Sequence, residues 1–176
     1  MGEIGVPSST CVPSPVDERI RAIISLDGST QLLYFDELAR ITVPTLGIGE
    51  EWSTLESTLP SPWASWQARL HAASQGNPAY RIDLQDALHN TFSNMCESLP
   101  IQNSRGLIDP NFYQYLEDLY CGAPLPASEA HRIVTKYMIT FLKTNLAGES
   151  GYQSILTPGH TLKDESMVEF FVTEKR

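Results

Sequence analysis

Basic residues are scarce in this sequence: 12 Lys and Arg stand against 21 Asp and Glu, a formal net charge of -9. So few cations leave no broad positive field to hold a phosphate backbone, which excludes nucleic acid as an expected partner. Long apolar runs are missing too. Nothing approaches the roughly 20 consecutive apolar residues that span a bilayer, and the first residues lack the charged-then-apolar build of a signal peptide. On this basis a soluble, cytoplasmic chain with no transmembrane segment is expected if Met1 is the natural start. Cysteine is sparse. Cys11, Cys96 and Cys121 are an odd number without a Cys-x-x-Cys pair, and no histidine joins them at zinc-like spacing, so neither a disulfide framework nor a metal or other cofactor is expected. What remains is ordinary: 176 residues, 41% hydrophobic, enough for one core and too short for two full domains.

Strands and helices alternate along the chain. Residues 1–18 are rich in Ser, Pro and Gly and read as loop. Residues 20–26 (I-R-A-I-I-S-L) form a short apolar, β-branched run, the pattern of a strand covered on both faces, and it stops at Asp27-Gly28. A short helix over 34–41 precedes a second strand over 43–48 (V-P-T-L-G-I), closed by Gly49-Glu50-Glu51. Residues 52–76 carry Trp52, Trp63 and Trp66 with Pro60 and Pro62 ahead of a helix ending near 73, and read as an insertion. The tryptophans could cap an apolar pocket or fill the core beneath a loop. A third strand over 79–84 leads into a loop and helix over 86–99. Helices over 111–120 and 128–146 follow, the latter with Ser128 as N-cap and Ile133, Val134, Tyr137, Met138, Phe141 and Leu142 at helical spacing. Residues 147–176 are a tail with a Pro158-Gly159 turn and an apolar stretch over 168–172.

This order predicts the α/β class: an open, mostly parallel sheet with flanking helices, centred on residues 19–146. Function in such sheets gathers on loops at the carboxyl ends of the strands, which here carry Asp27, then Glu50 and Glu51, then 85–90 with His89. A carboxylate on an early loop and a histidine on a later one is the order of acid and base when a serine nucleophile lies upstream.

The runs R-I-R-A-I-I-S-L-D-G (19–28), I-T-V-P-T-L-G-I-G-E-E (41–51), D-A-L-H-N-T-F-S-N-M-C (86–96) and F-L-K-T-N-L (141–146), taken in order, resemble the second half of bacterial α/β-hydrolases near the platelet-activating-factor acetylhydrolase and dienelactone-hydrolase-like groups. The resemblance implies the C-terminal portion of an α/β-hydrolase sheet and a serine ester hydrolase acting on a small ester. It puts the acid at the end of an apolar L-D strand, matching Asp27, and the base at the head of an H-x-x-F-S/T segment, matching His89. Glu50 and Glu51 stay open as alternative acids, because many members of this fold carry the acid one strand later. Lipases and esterases of this fold often have Gly-His-Ser-Met-Gly at the nucleophile elbow, and the chain begins Met1-Gly2. The serine would then directly precede Met1, whose N–H would contribute to the oxyanion hole. The plainer alternative is that Met1 is an ordinary start. Gly148-Glu149-Ser150-Gly151-Tyr152 is no substitute elbow, since it breaks the pattern at its last position and follows a helix.

The other candidates read as structural. Asp83 and Asp86 are expected to be solvated or structural; His71, His131 and His160 to lie on the surface; and Cys96 to belong to the core. A non-catalytic remnant or interaction module of the same fold is the competing function. With the strands before the elbow missing, the first strand would present a bare edge, so self-association is expected.

Overall fold

The structure, a computed structural model, describes residues 17–28, 35–51, 66–74, 78–160 and 165–173. Its framework is a four-stranded sheet in the order β1-β2-β3-β4. Strands β1 (Ile23–Leu26), β2 (Thr45–Glu50) and β3 (Ala79–Leu84) run parallel, and β4 (Val168–Thr173) pairs antiparallel with β3. The α/β class and the three parallel strands are as the sequence predicts, β3 to the residue. The fourth strand makes the sheet mixed, and it comes from the apolar stretch near the C-terminus. Its residues alternate, Val168 and Phe170 buried, Glu169 and Phe171 exposed, as on a strand with one face on the core.

Among the described residues, five α-helices accompany the sheet: α1 (Phe35–Leu38), α2 (Trp66–Ala73), α3 (Met95–Ser104), α4 (Pro110–Tyr120) and α5 (Ala127–Asn145). The buried stripe of α5, Ala130, Ile133, Val134, Tyr137 and Phe141, packs against Leu46 and Ile48 of β2, Tyr80, Ile82 and Leu84 of β3, and Phe170 of β4. Tyr80 and Phe141 meet edge to face at 5.9 Å. Each such side chain contributes about 1.5–3 kcal/mol by leaving water. The opposite face of β2 receives α2. Gly47 makes this approach possible: a Cβ there would lie 2.9 Å from the Cβ of Gln67. With no side chain in the way, Gln67 donates from Nε2 to the carbonyl of Glu50 (3.0 Å) and to Oδ1 of Asp83 (3.2 Å). β2 is therefore covered on both faces, which is why its sequence is a continuous apolar and glycine run without alternation.

Several local expectations are corrected. Ser128 is not the N-cap of α5. Pro126 holds that place with φ -60° and ψ 140°, and its carbonyl accepts from the N–H groups of Glu129 and Ala130 at 3.0 Å each. Cys96 is not an isolated core thiol but is disulfide-bonded to Cys121, with a Cα–Cα distance of 5.3 Å. Their 25-residue separation hides the pairing in the sequence; α3 and α4 fold back on each other as a hairpin and close it. Asp83 takes the structural of its two expected roles, while the three histidines expected at the surface are less exposed than that. Asp83 is 2% exposed and held by Arg81 and Gln67. His71 is half-buried, with Nε2 3.1 Å from the hydroxyl of Thr173. His131 is half-buried beside Glu97, at 3.4 Å, and His160 half-buried with Nε2 2.9 Å from Lys136 Nζ.

No described helix is long and apolar enough to cross a membrane. Met1 and the proposed elbow, Trp52 and Trp63 lie outside the described residues, so the insertion is seen only where α2 begins.

Candidate active site

The three parallel strands end side by side, and their register decides what meets there. Leu26 is level with Ile48, and Glu50 with Leu84. Asp27 extends the β1–β2 ladder by one rung, its N–H donating to the carbonyl of Ile48 at 2.6 Å, and then turns the chain at φ 42°. A non-glycine residue in this left-handed region is uncommon, and Asp is among the types that tolerate it. Gly28 follows, where a Cβ would lie 2.7 Å from the Ser25 hydroxyl, a contact that turning the serine side chain would relieve. The turn leaves the Asp27 carboxylate 7% exposed at the foot of the strand-end loops.

His89 arrives from the far side. After β3 the chain turns at Asp86 (φ 57°), whose carbonyl accepts from Leu125 N–H at 3.0 Å, and enters a short 3-10 helix, His89–Phe92. Thr91, buried at 2% exposure, fixes this turn: its hydroxyl accepts from Leu88 N–H at 3.0 Å and its own N–H donates to the Leu88 carbonyl at 2.8 Å. Phe92 packs on the core beneath. In H-N-T-F, then, the threonine and phenylalanine anchor the turn and the histidine is presented.

The two meet 62 residues apart in sequence: His89 Nδ1 is hydrogen-bonded to Asp27 Oδ2. A carboxylate can only accept, so Nδ1 carries the proton and the neutral ring has its lone pair on Nε2. The His89 side chain is 63% exposed and that of Asp27 8%, so a fixed, enclosed acid supports a ring that a substrate can reach. Burial raises the Asp27 carboxyl above its ordinary range; the bond and charge of His89, and the backbone N–H of Glu50, offset only part of the rise. Glu50 is raised as well, first by burial and then by the Asp27 charge, while the charge and backbone N–H of His89 act in the opposite sense. Two carboxyls and an imidazole in one partly desolvated spot are what acid–base work needs.

Of the acids open on sequence grounds, the structure puts Asp27 on the imidazole, and Glu50 near enough for the charges of both to bear on its carboxyl. Glu51 donates its N–H to the Leu84 carbonyl (2.8 Å) and lines a depression of about 160 Å³ with Asp86, Ala87, Leu88 and Pro124, next to the histidine turn. Asp86 is thus a rim residue. Sequence reasoning missed Thr91, for which the only signal was its place two residues after the histidine. Among the described residues, no group of three or more His, Cys, Asp or Glu side chains could hold a metal ion. Compared with known proteins, the chain matches no protein-family model and no curated protein.

Proposed function

We propose that Asp27 and His89 are the acid and base of a serine ester hydrolase of the α/β-hydrolase type. The observation that carries this reading is the hydrogen bond from an exposed imidazole to a buried carboxylate, both at the carboxyl ends of parallel strands. In this role His89 Nε2 takes the proton of a serine hydroxyl as the oxygen attacks an ester carbonyl. Asp27 holds the ring in the Nδ1–H tautomer and stabilises the imidazolium. The proton then passes to the departing alcohol, leaving an acyl-serine, and a water activated by the same nitrogen releases the acid. The nucleophilic serine of this reading is not among the groups that the described residues bring to His89, and the test supplies it.

The test is an extended chain carrying the in-frame upstream segment. We expect stoichiometric labelling of one serine by a fluorophosphonate probe, hydrolysis of an activated acetate ester, and loss of both with His89→Ala. Stoichiometric labelling of a serine within the 176 residues would refute the upstream placement. A wild-type extended chain that neither labels nor turns over would leave the non-catalytic interaction module as the better reading.

One observation favours that second reading. On α4 the residues Phe112, Tyr115 and Leu119 share a helix face, and each is about half exposed. The edge of β1, whose Leu26 is exposed, is the other surface on which self-association would draw. The Cys96–Cys121 disulfide also changes the expected compartment. Such a bond persists in oxidising surroundings, so we place the protein outside the reducing cytosol.

A further inference from the structure

Asp27 hangs from β2 by one rung. The carbonyls that β2 and its approach turn toward β1 belong to alternate residues: Pro44 accepts from Ile23 N–H at 3.0 Å, and Ile48 from Asp27 N–H at 2.6 Å. Glu50 has the next carbonyl on that side, beyond the point where the left-handed turn at Asp27 takes the chain out of the ladder. A strand-end carbonyl needs a donor, and α2 brings one. Gln67, 3% exposed, reaches the Glu50 carbonyl with Nε2 at 3.0 Å. An amide nitrogen has two hydrogens, and the other serves Asp83 Oδ1 of β3 at 3.2 Å. Asp83 is held in turn by Arg81 Nε at 2.9 and 3.0 Å, and the Arg81 guanidinium lies 4.7 Å from the ring centroid of Phe171 on β4. One buried amide thus joins the end of the strand that carries Asp27 to the strand that leads into the His89 turn. The sequence makes room for it twice: a Cβ at Gly47 would lie 2.9 Å from Gln67 Cβ, and one at Gly49 would strike the Gln67 amide itself.

We propose that Gln67 is a positioning residue for the Asp27–His89 pair, acting from the back of the sheet by bracketing the ends of β2 and β3. The proposal rests on the reading of that pair as acid and base, but the bracket does not depend on turnover. Filling space does not explain the residue. A methionine of similar length would occupy the gap over the two glycines without taking an amide out of water, which costs free energy unless its hydrogen bonds are made. Arg81 already meets Asp83 with a fork of donors, so the group that calls for the glutamine is the Glu50 carbonyl, two residues past the rung on which Asp27 hangs. The other end of the same helix and strand offers a comparison. There Ser74 and Thr45, both fully buried, pair their hydroxyls at 3.4 Å, at the start of β2 and away from the strand ends that carry the site.

The experiment is amide exchange and proton spectroscopy on the labelled 176-residue chain, which needs no nucleophile. Gln67→Met should speed exchange of the Asp27 amide about tenfold and weaken the low-field signal of the His89 Nδ1 proton. Ser74→Ala removes a buried polar contact between the same helix and strand; it should leave both signals as in wild type even if it lowers Tm. Should the methionine variant fail to fold, Gln67→Glu keeps the shape but turns a carboxylate toward two acceptors, and the same two effects are expected. Wild-type exchange at Asp27 and an unchanged Nδ1 signal in a folded Gln67 variant overturn the proposal. Equal effects from Ser74→Ala overturn it too, since Gln67 would then be ordinary core. In the extended chain Gln67→Met should lower kcat by roughly tenfold with KM little changed, as expected when reacting groups are misplaced but binding is kept. If the exchange and Nδ1 results hold and the extended wild type does not turn over, the hydrolase reading fails and the bracket stands.

Discussion

Asp27 and Glu165 are nearly equally buried, at 7% and 6% exposure, yet the protein treats their carboxyls in opposite ways. Burial pushes both up. At Glu165, bonds from Arg132 (2.8 Å) and Lys136 (2.8 Å) outweigh that push and hold the carboxyl below its usual range. At Asp27 the opposing partners are one imidazole and one backbone N–H, and the carboxyl stays raised. Glu165 therefore serves as a latch, tying the segment that leads into β4 to helix α5. Asp27 carries an unmet electrostatic cost at a strand end, in contact with the one mostly exposed histidine among those with a described side-chain pair. Buried carboxylates that are fully paired report on architecture; one that is left under-paired beside an accessible base reports on chemistry.

The sharpest way to break this contrast is to remove each acid. In an active extended chain, Asp27→Asn and His89→Ala should each reduce turnover by roughly 10³- to 10⁴-fold, and the double variant should be little worse than the poorer single one, because such groups act as a unit. Glu165→Gln should leave that turnover within a few-fold. Ester-hydrolysis kinetics on the four variants decide it; a large loss with Glu165→Gln and none with Asp27→Asn would reverse the assignment of roles.

The site side has a covalent brace where the tail side has an ionic one. The Cys96–Cys121 bond closes a loop of about 25 residues just after the histidine turn, and chain-entropy arguments give such a link about 3 kcal/mol. Cys96→Ser with Cys121→Ser, or reduction by a dithiol, should lower Tm by roughly 6–12 °C for a chain of this size. Amide exchange should rise first across α3 and α4 and leave the β3–β4 ladder protected. An unchanged Tm would mean that helix packing alone holds the hairpin.

The ionic latch is weaker. Arg132 is half exposed, which screens its share, so Glu165→Gln should cost about 1–2 kcal/mol, well short of a fully buried pair. Thermal unfolding with wild type as reference measures it, and a loss above that of the double Cys variant would rank the two braces the other way.

Much of the framework was legible because it follows from short-range patterns. Apolar runs ending in Asp27 and in Gly49-Glu50, and the A-Y-R-I-D-L strand, are signals that each strand carries by itself, and the strand-end rule then brings Asp27, Glu50 and His89 to one side. What escaped was long-range. The β4 strand exists only because Val168 and Phe170 find β3 some 85 residues away, as the pairing of Leu84 with Val168 shows. The disulfide depends on how α3 and α4 fold back, and whether Asp83 is solvated or structural is decided only when Arg81 and Gln67 converge on it. Between Asp27 and Glu50 the choice stayed open for the same reason: Asp27-Gly28 announces a turn, but which carboxylate reaches the imidazole depends on how that turn meets the His89 loop 62 residues on.

The pH dependence of stability separates the two carboxyls most finely. Glu165 is lowered on folding, so its stabilising share is fully present above the unfolded glutamate range and is lost as pH falls through the depressed folded value. Asp27 is raised, so its effect has the opposite sign: relative stability is greatest below the unfolded aspartate range and declines as pH rises through the elevated folded value. Compared with wild type, Asp27→Asn should therefore look best at neutral pH, where the wild-type carboxylate is ionised and desolvated, and should lose ground as the pH is lowered. Glu165→Gln should look worst at neutral pH and recover toward wild type in acid. Two denaturant series, one near pH 7 and one near pH 4, suffice. The gap between variant and wild type should shift in opposite directions for the two residues. Parallel shifts would show that Asp27 is paired as fully as Glu165, and the distinction between latch and site would then rest on the exposed histidine alone.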